Sequence, residues 1–242
     1  MTIEADARPS VARAFLPASL PSAVRVLAVT ARPGQESVDL GGLLYAFRRS
    51  GASLSLLCLT RGDVGGKSSS SERLEAARPW EVQMAASILG IRQVSVGSYR
   101  DGILQHYRTS DLAGRIQEAV SEYSADLVLI IAPEVGDMGD AAVARAATAA
   151  ALRAEVPVAG CTRPGVSGAW QLALGADAEI ARAIQRAAAA AHATQAESLP
   201  ALISRLDQLG DVETLRWLVS PARIPSQRAA VSTVQMPSEP AR

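Results

Sequence analysis

The sequence predicts an α/β fold of Rossmann-like type, three layers α/β/α around a mostly parallel sheet, and three stretches carry that prediction. Residues 24–30 (VRVLAVT), 54–60 (LSLLCLT) and 126–132 (DLVLIIA) are short runs with apolar residues on both faces. Strands sandwiched between helices need that pattern, because neither of their faces meets water. Each run ends in a segment rich in Gly, Pro or Asp, and longer helix-patterned segments separate them. Such alternation of strand and helix builds a parallel sheet covered on both sides.

In chain order, residues 1–22 are Ala/Pro-rich and read as a mobile lead-in with one short apolar turn at 14–20, followed by a single domain over 23–219. The first strand, 24–30, leads through Pro33-Gly34 into a helix that opens near Ser37, runs through 40–49 and stops at Ser50-Gly51, where glycine suits a left-handed cap. After the second strand, 54–60, comes RGDVGGKSSSS at 61–71. Its Gly66-Lys67-Ser68 invites comparison with a phosphate-binding loop, but that motif needs glycine where Arg61 stands, so the segment reads as a Gly/Ser loop. The next helical region, 72–89, contains Pro79, which lacks a backbone donor and predicts a break or kink, with a new helix over 80–89. A short strand at 93–96 precedes the loop SYRDGIL. Ser110 or Asp111 can then cap a helix to about residue 123. The strand at 126–132 is the most apolar and is expected at the centre. Beyond it lie Ala-rich helices at 141–153 and 176–194, with strands at 156–158 and 168–174 between them. Residues 220–242, rich in Pro, Ser and Arg, read as a disordered tail.

Composition narrows the function. The 242 residues carry 24 basic and 24 acidic side chains, with no basic cluster that would suggest nucleic acid. No apolar run reaches the roughly 18 residues of a membrane span. The first residues lack the apolar core of a signal peptide, so a cytoplasmic protein is expected. Cys58 and Cys161 lie far apart without metal-motif spacing.

The corner after the first strand reads Ala31-Arg32-Pro33-Gly34-Gln35-Glu36 and continues to Gly41-Gly42. This frame resembles the signature of the LmbE/PIG-L family of zinc-dependent de-N-acetylases, whose corner is A-H-P-D-D-E. The resemblance extends over about 23–219. It implies that the metal-binding His position is Arg32, the general-base position Gly34 and the second metal position Gln35. A second family segment, G-x-H-P-D-H, aligns with Gly136-Asp137-Met138-Gly139-Asp140-Ala141, which puts Ala141 at the third ligand position. The family's H-x-S-Q segment is similar to His192-Ala193-Thr194-Gln195, and the family's C-terminal helices are expected to follow, up to 219.

Zinc needs about four ligands, at least three of them from protein, and the chain holds only His106 and His192. The expectation is therefore a lost zinc site, with no metal and no cofactor, although Glu36, Asp39, Asp137 and Asp140 form a carboxylate set of the kind that suits Mg²⁺ or Ca²⁺. Arg32 is expected in a buried ion pair with Glu36 or Asp140, in place of the dication's charge, or else facing an anionic ligand. Candidate acid/base residues are Glu36, Asp137, Asp140 and His192. Candidate ligand-binding residues are Arg32, Asp63, Arg78 and Asp101, the last three by resemblance to family positions that hold sugar hydroxyls. Each also has a structural reading: Arg78 can pair with Glu81, and Asp101-Gly102 can simply turn the chain. The expected function is a metal-independent binding protein, or a repurposed metal-free enzyme, for a sugar-like or natural-product small molecule; the alternative is an active de-N-acetylase with substitute metal ligands. The Ala-rich helices are compatible with packing between copies of the chain.

Overall fold

The computed structural model describes residues 20–63, 71–198, 206 and 210–224. The expected lead-in up to residue 19, the loop centre at 64–70 with Lys67-Ser68, and the tail from 225 lie outside these residues.

Seven strands form one sheet: β1 (Arg25–Thr30), β2 (Ser53–Thr60), β3 (Gln93–Tyr99), β4 (Leu127–Ile131), β5 (Val158–Cys161), β6 (Ala169–Ala173) and β7 (Val212–Val219), in the order β3-β2-β1-β4-β5-β7-β6. The first five are parallel, and β7 runs antiparallel between β5 and β6. The helices are α1 (Gln35–Val38), α2 (Gly41–Arg49), α3 (Ser71–Leu89), α4 (Thr109–Glu122), α5 (Met138–Ala154) and α6 (Ala178–Ala190). This is the predicted α/β architecture.

Period-two alternation on β1 explains the layers. Leu27 and Val29 point with Val128 and Ile130 into a core built with α4 and α5, while Val26 and Ala28 point with Leu127 and Leu129 toward α2, α3 and Ala188 of α6. The alanines of α5 pack without bulk at 142, 146, 147, 150 and 151, which lets that helix lie close on the sheet. Because β1 sends its chain to one face and β4, its neighbour, to the other, the two strand exits diverge and leave a crevice at this switch point.

Several local expectations are corrected. Helix α3 continues through Pro79. The missing donor costs on the order of 3 kcal/mol, but Leu74, Arg78, Val82, Ala85 and Ala86 bury one side of the helix along its length, and that packing prevails. The segment expected to be helical up to 219 instead ends in β7, where Glu213, Thr214 and Leu215 are buried in the sheet. Helix α5 starts three residues early because Asp137 and Asp140 form a reciprocal capping box. Helix α4 begins at Thr109 without a side-chain cap, and the first helix is divided into α1 and α2. The last Ala-rich helix ends at Ala190, and the fourth parallel pairing falls at Val158–Cys161 rather than at 156–158. Both cysteines are free. Among the described residues no helix is long and apolar enough to cross a membrane.

The glycine pair 41–42 has a packing role. A Cβ on Gly42 would stand 1.9 Å from Glu213 Oε1, and one on Gly41 would stand 2.8 Å from Gln185 Cγ. Both glycines therefore make room for a buried polar cluster in which Arg182 pairs with Glu213 and Gln185 donates to the Val38 carbonyl.

Candidate functional site

The crevice is built from the exits of β1 and β4. Gly34 turns the first corner with φ +97°, a conformation that costs glycine nothing and strains other residues. Across from it, Asp137 caps α5 by accepting from the N–H groups of Gly139 (2.8 Å) and Asp140 (3.1 Å), and Asp140 Oδ2 accepts in return from the Asp137 N–H (2.9 Å). The carboxylates of the N-cap Asp137 and of Asp140 in the first turn also complement the positive end of the helix.

Gln35 joins these two corners. Its Oε1 accepts from the N–H groups of Ala31 (3.0 Å) and Arg32 (3.2 Å), while its Nε2 donates to Asp140 Oδ1 at 2.8 Å. Only 5% of Gln35 is exposed and 2% of Asp140, so both ends of the amide are used inside the protein. Arg32 pairs with Asp137, which corrects the expectation of a buried pair with Glu36 or Asp140: the partners' side chains are 39% and 52% exposed. The reason is geometric, since Gln35 already holds Asp140 and Glu36 turns away into α1's other contacts.

Electrostatics follow these placements. Burial alone would lower the Arg32 guanidinium, but Asp137 and Asp140 outweigh it and hold Arg32 above its ordinary value. Burial also works on Asp137, where the Asp140 N–H and Arg32 prevail and hold the carboxyl below its usual range. Burial pushes the carboxyls of Asp140 and Asp101 up.

Arg32, Asp101, Leu104, Gln105, Asp137 and Met138 contribute to the walls of a cavity of about 240 Å³ at this crevice. Asp101 accepts from the Gly102 N–H at 2.9 Å, so it turns the chain as well as facing the cavity. Asp63 accepts from the Asp101 N–H at 2.8 Å and lies 3.6 Å from Arg100, bracing the same turn from the exit of β2. Arg78 is buried; it donates to the Gly62 carbonyl and to Thr194 Oγ1 at 3.3 Å. Glu81 accepts from both the N–H and the hydroxyl of Thr194 at 2.7 Å. Arg78 and Glu81 thus converge on Thr194 and fasten α3 to the 192–195 turn.

Glu36 and His192 form a separate buried unit. His192 Nε2 lies 2.6 Å from Glu36 Oε1, while Glu36 also accepts from the Gly34 N–H (2.9 Å) and the Ser37 hydroxyl (3.0 Å). Neither residue lines the cavity. Of the four acid/base candidates, Asp137 faces the cavity, Asp140 lies buried beside it, and Glu36 and His192 brace the corner from within. Among the described residues no group of three or more His, Cys, Asp or Glu side chains is disposed to hold a metal ion. The donors at the three aligned metal positions do not fit zinc: Arg32 offers a cation, Gln35 an amide already engaged at both ends, and Ala141 a methyl.

Sequence reasoning did not single out Gln105, Met138 as a cavity residue, or the bridging amide of Gln35. The Asp137–Asp140 capping box was available from D-x-x-D before an apolar run. Nothing local marks Gln105, which reaches the cavity through a 3-10 turn at Leu104–His106.

Comparison with known proteins adds to this geometry. A family model described as PIG-L, GlcNAc-PI de-N-acetylase, matches residues 27–152, more than half of the chain. A probable N-acetyl-alpha-D-glucosaminyl L-malate deacetylase 2 of Bacillus anthracis is 32% identical over 113 residues, which are 45% of this chain and 50% of that protein. The match thus spans half of that relative's length. Among solved structures, N,N'-diacetylchitobiose deacetylase from Pyrococcus horikoshii superposes with a TM-score of 0.64 at 15% identity, covering 83% of this chain and 87% of that one. Zinc-inhibited teicoplanin deacetylase Orf2 gives 0.64 at 16% identity, with 80% and 97% covered. GalB, the 4-carboxy-2-hydroxymuconate hydratase from Pseudomonas putida KT2440, gives 0.63 at 18%, with 81% and 96% covered. The structures share the fold, and the family match over the β1 to α5 unit that carries the crevice establishes the rest: this chain belongs to the PIG-L, LmbE-like family of de-N-acetylases.

Proposed function

We propose that this protein works without zinc and uses the β1/β4 crevice to bind a small, sugar-like molecule. The observation that carries this reading is Gln35: a neutral amide cross-links the two corners that metal ligands join in the aligned family motif. Gly34 adds to it, because an aspartate base there would have to adopt φ near +97° with its Cβ 3.1 Å from Gln195 Oε1. A cavity of about 240 Å³ suits a ligand of one ring, being smaller than the roughly 300–1,000 Å³ of drug-sized pockets. Arg32, Asp101 and Asp137 offer charge-assisted hydrogen bonds of the kind that select hydroxyls and amides.

A second reading, metal-free turnover, is favoured by one feature. Asp101 and Asp137 line the same cavity, so two carboxyls face one bound molecule, the pairing that general acid/base chemistry uses.

The test is elemental analysis of purified protein together with thermal unfolding in chelator and a titration with N-acetylglucosamine. Well under one zinc per chain, an unchanged Tm and saturable sugar binding are expected. Stoichiometric zinc that leaves together with stability on chelation overturns the metal-free reading in favour of an active deacetylase; acetate release without metal selects the second reading.

A further inference from the structure

Resting on that reading, we propose that the crevice selects a free amine: the ligand is an amino sugar whose ammonium group pairs with Asp101, and it is bound in preference to its N-acetyl form. Three of the residues lining the cavity carry charge, Arg32, Asp101 and Asp137. Asp137 is fully engaged, its Oδ1 by the N–H groups of Gly139 and Asp140 and its Oδ2 by Arg32. Asp101 is not. Its Oδ1 accepts from the Gly102 N–H, and among the described residues no hydrogen bond or ion pair takes up its Oδ2. With Arg32 committed to Asp137, the cavity wall keeps one negative charge in excess, and Asp101 carries it.

Gln105, another wall residue, adds a second acceptor in want of a donor. Its Nε2 donates to the Gly102 carbonyl at 3.2 Å, which fixes the orientation of the amide, and its Oε1 is buried with no hydrogen-bond partner among the described residues. A buried acceptor without a donor is costly, and so is a partly buried carboxylate without a cation. Burial pushes the Asp101 carboxyl up although Arg32 and Arg78 act against it, so these guanidinium groups leave its charge under-compensated. An ammonium meets both needs, because it carries a positive charge and three N–H donors. An acetamide nitrogen brings one N–H and no charge, and a hydroxyl brings one O–H. The further N–H groups of Arg32 remain for the hydroxyls of the ring.

The test measures, by calorimetry at pH 6.5 and constant ionic strength, the binding of glucosamine, N-acetylglucosamine and glucose, which differ only in the group on the second ring carbon. A hydrogen bond between charged groups outweighs a neutral one by about tenfold in affinity, so glucosamine should bind at least about tenfold tighter than either of the others. In Asp101→Asn, which keeps an acceptor for the Gly102 N–H, that preference should fall below about threefold, while N-acetylglucosamine keeps its original affinity. The comparison in the unmodified protein stands whether or not the variant folds. N-acetylglucosamine that binds there as tightly as glucosamine, or a preference that Asp101→Asn leaves unchanged, overturns this inference and spares the proposed function. Failure of all three sugars to bind overturns the proposed function and this inference with it.

Discussion

Replacing Gln35 with methionine, which keeps the length and approximate volume of the side chain, should destabilise the protein by about 4 kcal/mol. Two losses make up that figure. The Asp140 carboxylate gives up a hydrogen bond inside the protein, worth about 1.5–3 kcal/mol for a charged acceptor, and the buried Ala31 N–H is left without its acceptor, at about 1–3 kcal/mol. The Arg32 N–H adds little, because that residue is only half-buried and water can replace the amide. In a chain of this size 1 kcal/mol corresponds to roughly 2–4 °C in Tm, so a fall of about 8–16 °C is expected, matched by a lower urea midpoint at constant slope. Gln35→Glu isolates the donor end: it keeps an acceptor for the two backbone groups but sets a carboxylate against Asp140. Its stability should be recovered in acid, where one carboxyl of the pair is protonated, and lost as pH rises. A Gln35→Met protein that unfolds within 1 kcal/mol of the unmodified chain would refute the cross-link argument, and with it the main support for a metal-free centre.

Arg32→Ala should cost under about 1 kcal/mol, since its pair with Asp137 is exposed on both sides; a loss near 3 kcal/mol in urea denaturation would restore the buried-pair expectation. Asp137→Asn keeps a good helix cap while removing the charge. The Asp137 carboxyl is held below its ordinary 3.8, so its contribution is present above that value and disappears as pH falls through the lowered one. The stability gap between Asp137→Asn and the unmodified protein should therefore be open at pH 6 and begin to close once pH falls below 3.8. A gap that widens on acidification contradicts the sign.

Legibility in the sequence followed the range of the interactions. The strands at 24–30, 54–60 and 126–132 announce themselves because burial on both faces forces unbroken apolar runs, and their exits mark the crevice without further information. Pro79 misled because a local penalty of about 3 kcal/mol is visible in the sequence, while the burial of Leu74, Val82 and Ala86 that offsets it is a property of the assembled sheet. Strand β7 was missed for a similar reason. VETLRWLV carries strand propensity, but its partners β5 and β6 are decided by the fold, and the family's habit of ending in helices weighed against it. Gln105 and the outward Met138 depend on where a 3-10 turn and a helix cap place them.

The corner motif separates by what each residue touches. Glu36 accepts from the Gly34 N–H and the Ser37 hydroxyl and meets His192, all within the protein; Gly41 and Gly42 admit Gln185 and the Arg182–Glu213 pair. These residues agree with the family frame, and their substitution would disturb packing whatever the crevice does. Positions 32, 34 and 35 differ from the frame. At 32 and 35 the side chains reach across to Asp137 and Asp140 of α5, and at 34 the glycine conformation fixes the turn between them. The matching residues thus hold the corner, and the differing ones, which face the opposite helix, are those on which the proposed metal-free reading rests. Glu36 and the two glycines hold the corner from within, while one amide spans from two backbone N–H groups to a buried carboxylate and so joins the two corners; on the proposed reading, that amide stands where the family motif sets its metal ligands.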